Sequence, residues 1–119
     1  MAGGPGAYVF GAEETKEVMD VCEAKYLFRY GTDPAFRRKV FNFEDAFREK
    51  MGAKYCVATS SGTGSLLCCL SALGVGAGDE VIVPGYTFIA SISTILLMNA
   101  RPVLAEIDEL DIQIPESDI

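Results

Sequence analysis

From Tyr55 to Ile107 the sequence alternates short apolar runs with longer helical stripes, and this alternation constrains the fold more than any other feature. Tyr55–Thr59, Glu80–Val83 and Arg101–Ile107 have the length and the apolar character of strands. Between the first two, Leu66, Leu67, Leu70 and Leu73 recur at helical spacing, with Cys69 widening the stripe. Between the last two lies Phe88–Met98, whose Ile89, Ile92, Ile95 and Leu96 cover a wide apolar face. Strands alternating with helices predict an α/β fold, a parallel-type sheet flanked by helices. Ligands of such sheets bind beyond the carboxyl ends of the strands. Here two of those ends are Thr59–Thr63 and Pro84–Phe88, polar and turn-rich, and both are expected at the same edge.

The first of these ends is the more specific. Ser60–Ser61–Gly62–Thr63–Gly64 lets the backbone come close to a bound group and offer N–H donors, and the helix that follows adds its positive end. That describes an anion site, most often for phosphate. Taken alone, the stretch suits an ordinary strand-to-helix connection with a Ser or Thr N-cap equally well. The glycine-rich Gly74–Gly78 is a connector: a strand follows it where a phosphate loop needs a helix, and Asp79 and Glu80 would repel an anion.

Upstream, residues 1–10 read as an extended arm. A helix begins after Gly11, with Glu13 and Glu14 in its first turn, and runs to about Lys25 with Val18, Val21 and Cys22 on one side. Tyr26–Pro34 is an aromatic loop in which Phe28, Arg29 and Tyr30 serve packing or line a site. Ala35–Lys39 is a basic run, read as a solvated face, the alternative being a role for Arg37 or Arg38 in holding an anionic substrate. A second helix has Val40, Phe43, Ala46 and Phe47 on its apolar side, Glu44, Asp45, Arg48, Glu49 and Lys50 on the other, and Gly52 as its stop. Thr87 is the expected cap of the helix Phe88–Met98, and Pro115–Glu116 looks like the first turn of another helix.

Composition removes several function classes. The net charge of −7 argues against nucleic acid or an anionic membrane surface as partner. No apolar run reaches the roughly 20 residues that span a bilayer, and Met1–Gly6 has neither the basic nor the apolar region of a signal peptide. There is no histidine, which excludes Ser-His and Cys-His hydrolysis within these residues and argues against a zinc site. Cys22, Cys56, Cys68 and Cys69 form no C-x-x-C pair and read as small core residues in a reducing, cytoplasmic compartment.

Several motifs, in order, resemble one family. Phe10–Glu14, Leu27–Gly31, Phe43–Phe47, Ser61–Leu66, Ala72–Pro84, Tyr86–Ala90 and Ala100–Val103 look like the N-terminal part of the DegT/DnrJ-type aminotransferases, fold-type-I pyridoxal-phosphate enzymes that act on keto-sugars, many of them nucleotide-linked. The resemblance implies that Gly62, Thr63 and Gly64 hold the phosphate of pyridoxal 5'-phosphate and that Phe88 stacks on its ring. It implies a small-molecule keto-sugar and an amino donor as partners and a homodimer for the full-length protein. It divides the chain into residues 1–34 (arm, helix and aromatic loop) and 35–119, an incomplete first part of the cofactor-binding domain. The family's Schiff-base lysine lies further downstream. None of Lys16, Lys25, Lys39, Lys50 and Lys54 matches its context, so no catalytic residue and no metal ligand is assigned, and the 119 residues alone are expected to be inactive, like a fragment. The alternatives are a non-catalytic α/β phosphate-ligand or scaffold module, and a pyridoxal-phosphate-dependent sugar dehydratase of the same family.

Overall fold

Glu80–Val81–Ile82–Val83–Pro84 and Arg101–Pro102–Val103–Leu104–Ala105 are runs too short for helices and too apolar for loops, and they find each other. In the computed structural model, which describes residues 5–30 and 38–108, they pair in parallel as β1 (Glu80–Pro84) and β2 (Arg101–Ala105). Glu80 stands opposite Arg101, Ile82 opposite Val103 and Pro84 opposite Ala105. Arg101 N–H donates to the Asp79 carbonyl at 2.9 Å, and the Ala105 carbonyl accepts Gly85 N–H at 3.0 Å. Arg101 and Ala105 therefore turn their backbone toward β1. The alternation of a strand then turns Pro102 outward, where its missing N–H breaks no bond of this ladder. The Glu80–Arg101 register is also an ion pair at the exposed end of the strands.

The helices of this region are α3 (Gly62–Ala72) and α4 (Ile89–Leu97). Gly74, at φ +78°, takes the left-handed position that ends α3, and Val75 N–H returns to the Leu70 carbonyl at 3.0 Å. Asn99, at φ +58°, does the same after α4. The core is Val83, Ile95 and Ala100, with Leu70, Val75, Val81 and Ile92 packed against it. Thr94 is buried among these elements and returns its hydroxyl to the Ala90 carbonyl at 2.8 Å, so its polar atom is satisfied.

The other helices are α1 (Ala12–Ala24) and α2 (Lys39–Met51), the latter stopped by Gly52 at φ +63°. They belong to a unit spanning Met1–Val57, distinct from the unit Ala58–Ile119. The domain boundary expected at residues 34 and 35, and the helix start expected at Pro115, lie outside the described residues. In the first unit Arg29 pairs with the buried carboxylate of Glu44, and its guanidinium lies 5.4 Å from the Phe41 ring centroid. Lys39 bridges Glu17 and Asp20, and hydrogen bonding to Glu17 raises its pKa above the ordinary lysine value.

Four expectations are corrected here. Residues 55–59 form no strand; an apolar run becomes one only where a ladder of backbone bonds forms along it. Pro5–Tyr8 is a turn of 3-10 helix, not an extended arm. On α2 the buried residue is Glu44, placed on the solvent side from the periodicity, while Phe43 and Phe47 are exposed; the ion pair with Arg29 decides which side faces in. Cys22, Cys68 and Cys69 are exposed free thiols; on α3 it is Leu70, not the cysteines, that packs on the core.

The start of α1 yields a pH prediction. Gly11 N–H donates to Glu14 Oε2 at 2.8 Å, the half of a capping box that a glycine cap can make. This bond favours the carboxylate and lowers the Glu14 pKa below its ordinary 4.5. A carboxyl lowered in the folded state stabilises above its unfolded pKa and loses that contribution as pH falls through the folded one. Acidification is therefore expected to lower the protection of the Gly11 amide relative to its intrinsic exchange rate at each pH, and Glu14→Gln to remove that pH dependence. A pH response identical in the variant would contradict it.

Candidate functional site

The site begins with how α3 starts. Ser61 is extended (φ −164°, ψ 158°), which frees its side chain to turn back on the helix, and Ser61 Oγ accepts Gly64 N–H at 3.0 Å. The Ser61 carbonyl accepts Ser65 N–H at 3.0 Å, the first intrahelical bond. The cap uses the third N–H of the helix. The first two, of Gly62 and Thr63, have no intrahelical carbonyl to bond.

Gly62 and Thr63 line a cleft of about 480 Å³. Ser65, Leu66 and Cys69 continue its α3 wall, and Phe88, Ala90 and Ser91 form the wall opposite. Phe88 is the N-cap of α4 and its side chain is 76% exposed, so its ring is free to be covered by a ligand. Two helix N-termini thus meet at one cleft and bring two positive dipole ends to it. Within residues 58–119 the basic side chains reduce to Arg101, which is paired with Glu80. An anion here would be held by backbone donors and dipoles.

Gly64, grouped with Gly62 and Thr63 from the sequence, is not among the residues lining the cleft; its N–H serves the cap. A Cβ at Gly64 would stand 3.3 Å from Ser61 Oγ, tight enough to disturb that cap. Thr87 does not cap α4. The helix starts one residue later, Ser91 N–H bonds the Phe88 carbonyl at 2.9 Å, and the Thr87 hydroxyl lies 3.1 Å from Ser91 Oγ. The loop carrying Phe88 is fixed at its start, where Gly85 bonds the end of β2.

Ser65, Leu66, Cys69 and Ser91 were not identified as site residues from the sequence. Helical spacing could have found them, since Thr63, Leu66 and Cys69 are three apart on α3, as are Phe88 and Ser91 at the start of α4. Arg29, a candidate for a site, is engaged by Glu44, and Arg38 lies over Phe41 at 4.6 Å; Arg37 is outside the described residues. Among the described residues no cluster of acidic or cysteine side chains could hold a metal ion, and no helix is long and apolar enough to cross a membrane.

Residues 10–119 match the DegT/DnrJ/EryC1/StrS aminotransferase family. The L-glutamine:2-deoxy-scyllo-inosose aminotransferase of Streptomyces fradiae is 51% identical over 78 residues, which is 66% of this chain and 18% of the relative. The UDP-2-acetamido-2-deoxy-3-oxo-D-glucuronate aminotransferase of Pseudomonas aeruginosa is 44% identical over 85 residues, covering 68% of this chain and 24% of its own. Among solved structures, an aminotransferase from Psychrobacter cryohalolentis superposes with a TM-score of 0.73 at 37% identity, over 84% of this chain and 24% of that one. The E. coli GDP-4-keto-6-deoxy-D-mannose-3-dehydratase with bound hydrated PLP superposes with a TM-score of 0.76 at 26% identity, over 89% and 27%. The chain therefore spans about a quarter or less of the length of these proteins.

Proposed function

This chain belongs to the DegT/DnrJ/EryC1/StrS aminotransferase family, whose α/β fold is that of the fold-type-I enzymes and whose cofactor is pyridoxal phosphate, and from that premise we propose that the cleft between α3 and α4 is the phosphate and ring half of a keto-sugar aminotransferase site. The observation that carries this is the convergence of Gly62, Thr63 and Phe88 on one cleft.

The residues fit the group. With no unpaired cation in residues 58–119, a phosphate here needs hydrogen-bond donors, and the N–H groups of Gly62 and Thr63 at the α3 N-terminus supply them. A flat ring needs an apolar face, and the exposed ring of Phe88 offers one. The cleft is within the size range of small-molecule sites. When bound, the cofactor supplies an electron sink for the bond broken in the substrate. The chain's own part is binding and orientation: Gly62 and Thr63 hold the anionic tail, Ser61 fixes their direction through Gly64, and Phe88 limits the tilt of the ring.

The substrate is a keto-sugar, free or nucleotide-linked, and the amino donor is L-glutamine. The names of the two curated relatives support this, one printing L-glutamine and one a UDP-linked oxo-sugar. The working protein is a cytoplasmic homodimer in this reading; free cysteines fit a reducing compartment, and the dimer follows from the family membership. The likeness to a dehydratase keeps sugar dehydration as the second reading.

A direct test titrates the chain with pyridoxal phosphate, pyridoxal and inorganic phosphate by calorimetry. Pyridoxal phosphate is expected to bind well above pyridoxal and to be displaced by phosphate. Equal affinity for pyridoxal and its phosphate would overturn the assignment. Residues 58–119 contain no lysine, so the 119 residues with cofactor and L-glutamine are expected to leave a keto-sugar unaminated by mass spectrometry. An amino sugar in that mixture would refute the half-site reading.

A further inference from the structure

One contact at the cleft is not explained by binding. Thr59 Oγ1 lies 2.9 Å from the Ser61 carbonyl and 2.6 Å from Ser65 Oγ, while Ser65 Oγ lies 3.3 Å from the same carbonyl. Each hydroxyl has one proton to give. The shorter contacts take precedence: Ser65 O–H donates to Thr59 Oγ1, and Thr59 O–H donates to the Ser61 carbonyl. That carbonyl then accepts both Thr59 O–H and Ser65 N–H, filling both lone pairs. Ser61 is held at its carbonyl from one side and at its Oγ, through Gly64 N–H, from the other.

We propose that the Thr59–Ser65 hydroxyl pair is a positioning latch that fixes Ser61 and so aims the Gly62 and Thr63 N–H groups at the cofactor phosphate. Thr59 and Ser65 act here through Ser61 and need not touch the phosphate. The inference rests on the phosphate role proposed above. It adds that the donors are preorganised by a side-chain bond from the residue before the turn, in addition to the helix itself. Without the latch the turn keeps its cap but gains freedom about the Ser61–Gly62 peptide, and the donors lose aim.

The variants separate these parts. Thr59→Val keeps the shape and removes both hydroxyl bonds. Thr59→Ser keeps them. Ser65→Ala leaves the bond from Thr59 to the Ser61 carbonyl. The expected order is a loss of pyridoxal-phosphate affinity of about 2- to 10-fold in Thr59→Val, a smaller loss in Ser65→Ala, and wild-type affinity in Thr59→Ser, with pyridoxal affinity unchanged in both Thr59 variants. In the ligand-free chain, amide exchange at Gly64 and Ser65 is expected to quicken in Thr59→Val. Unchanged phosphate affinity in Thr59→Val, or an equal loss for pyridoxal, overturns the latch while leaving the cofactor assignment standing. Wild-type chain that does not distinguish pyridoxal phosphate from pyridoxal overturns the cofactor assignment itself and the latch's role with it.

Discussion

Gly62→Pro is expected to weaken pyridoxal-phosphate binding by about tenfold to a hundredfold, the worth of one hydrogen bond to a charged group, while leaving the chain folded. Several features make this a clean substitution. Gly62 is the first residue of α3, where proline is well tolerated because the lost N–H has no helical partner. Ser61, the residue before it, is already extended, as the proline ring requires. A side chain at Gly62 meets nothing within 4 Å. The donor is removed and little else changes. Calorimetry with pyridoxal phosphate and with pyridoxal reads the effect, and urea denaturation checks stability. Unchanged phosphate affinity in a folded variant would show that the Gly62 N–H does not hold the anion.

The largest stability effect is expected at Ile95. Its side chain is 2% exposed and joins Val83 and Ala100, with Leu70, Val75, Val81 and Ile92 around them. Ile95→Ala removes buried methyl groups and leaves a cavity, a change that costs about 2–5 kcal/mol, against about 0.5–1.5 kcal/mol for Ile95→Val. A typical domain is stable by only about 5–15 kcal/mol, so the alanine variant is expected to lose much of its folded population margin. The urea midpoint measures it. A drop no larger in alanine than in valine would mean that Ile95 is not the centre of this core.

What could be read from the sequence was what is encoded locally. The Ser or Thr cap of α3, which falls to Ser61, and the stop after α2 at Gly52 depend on neighbours a few residues away and form where expected; β1 and β2 form on their apolar runs by pairing with each other across the α4 connection. What could not be read depends on distant partners. Tyr55–Thr59 has strand composition, but a strand is a property of a pair, and this stretch is not a strand in the structure. Glu44 faces in because Arg29 arrives from another loop, which no periodicity on α2 records. At the site, turn chemistry and the family's motif pointed to Gly62, Thr63 and Phe88, and the structure brings these three to one cleft. The Thr59–Ser65 contact was not legible, since it depends on how the chain bends into the turn. The hydrogen bond of Gly64 N–H to Ser61 Oγ is local and follows from the cap itself.

The two walls of the cleft are close in the chain as well as in space. All of its lining residues fall between Gly62 and Ser91, and the strand pair beneath closes through α4 alone. Contacts of such short sequence separation need little loop entropy to form, and they belong to the fast end of folding. The anion-binding half-site is therefore a nucleus candidate: φ-values at Leu70, Val83 and Ile95 should be high, and the pocket that greets the cofactor should exist among the first structures the chain acquires.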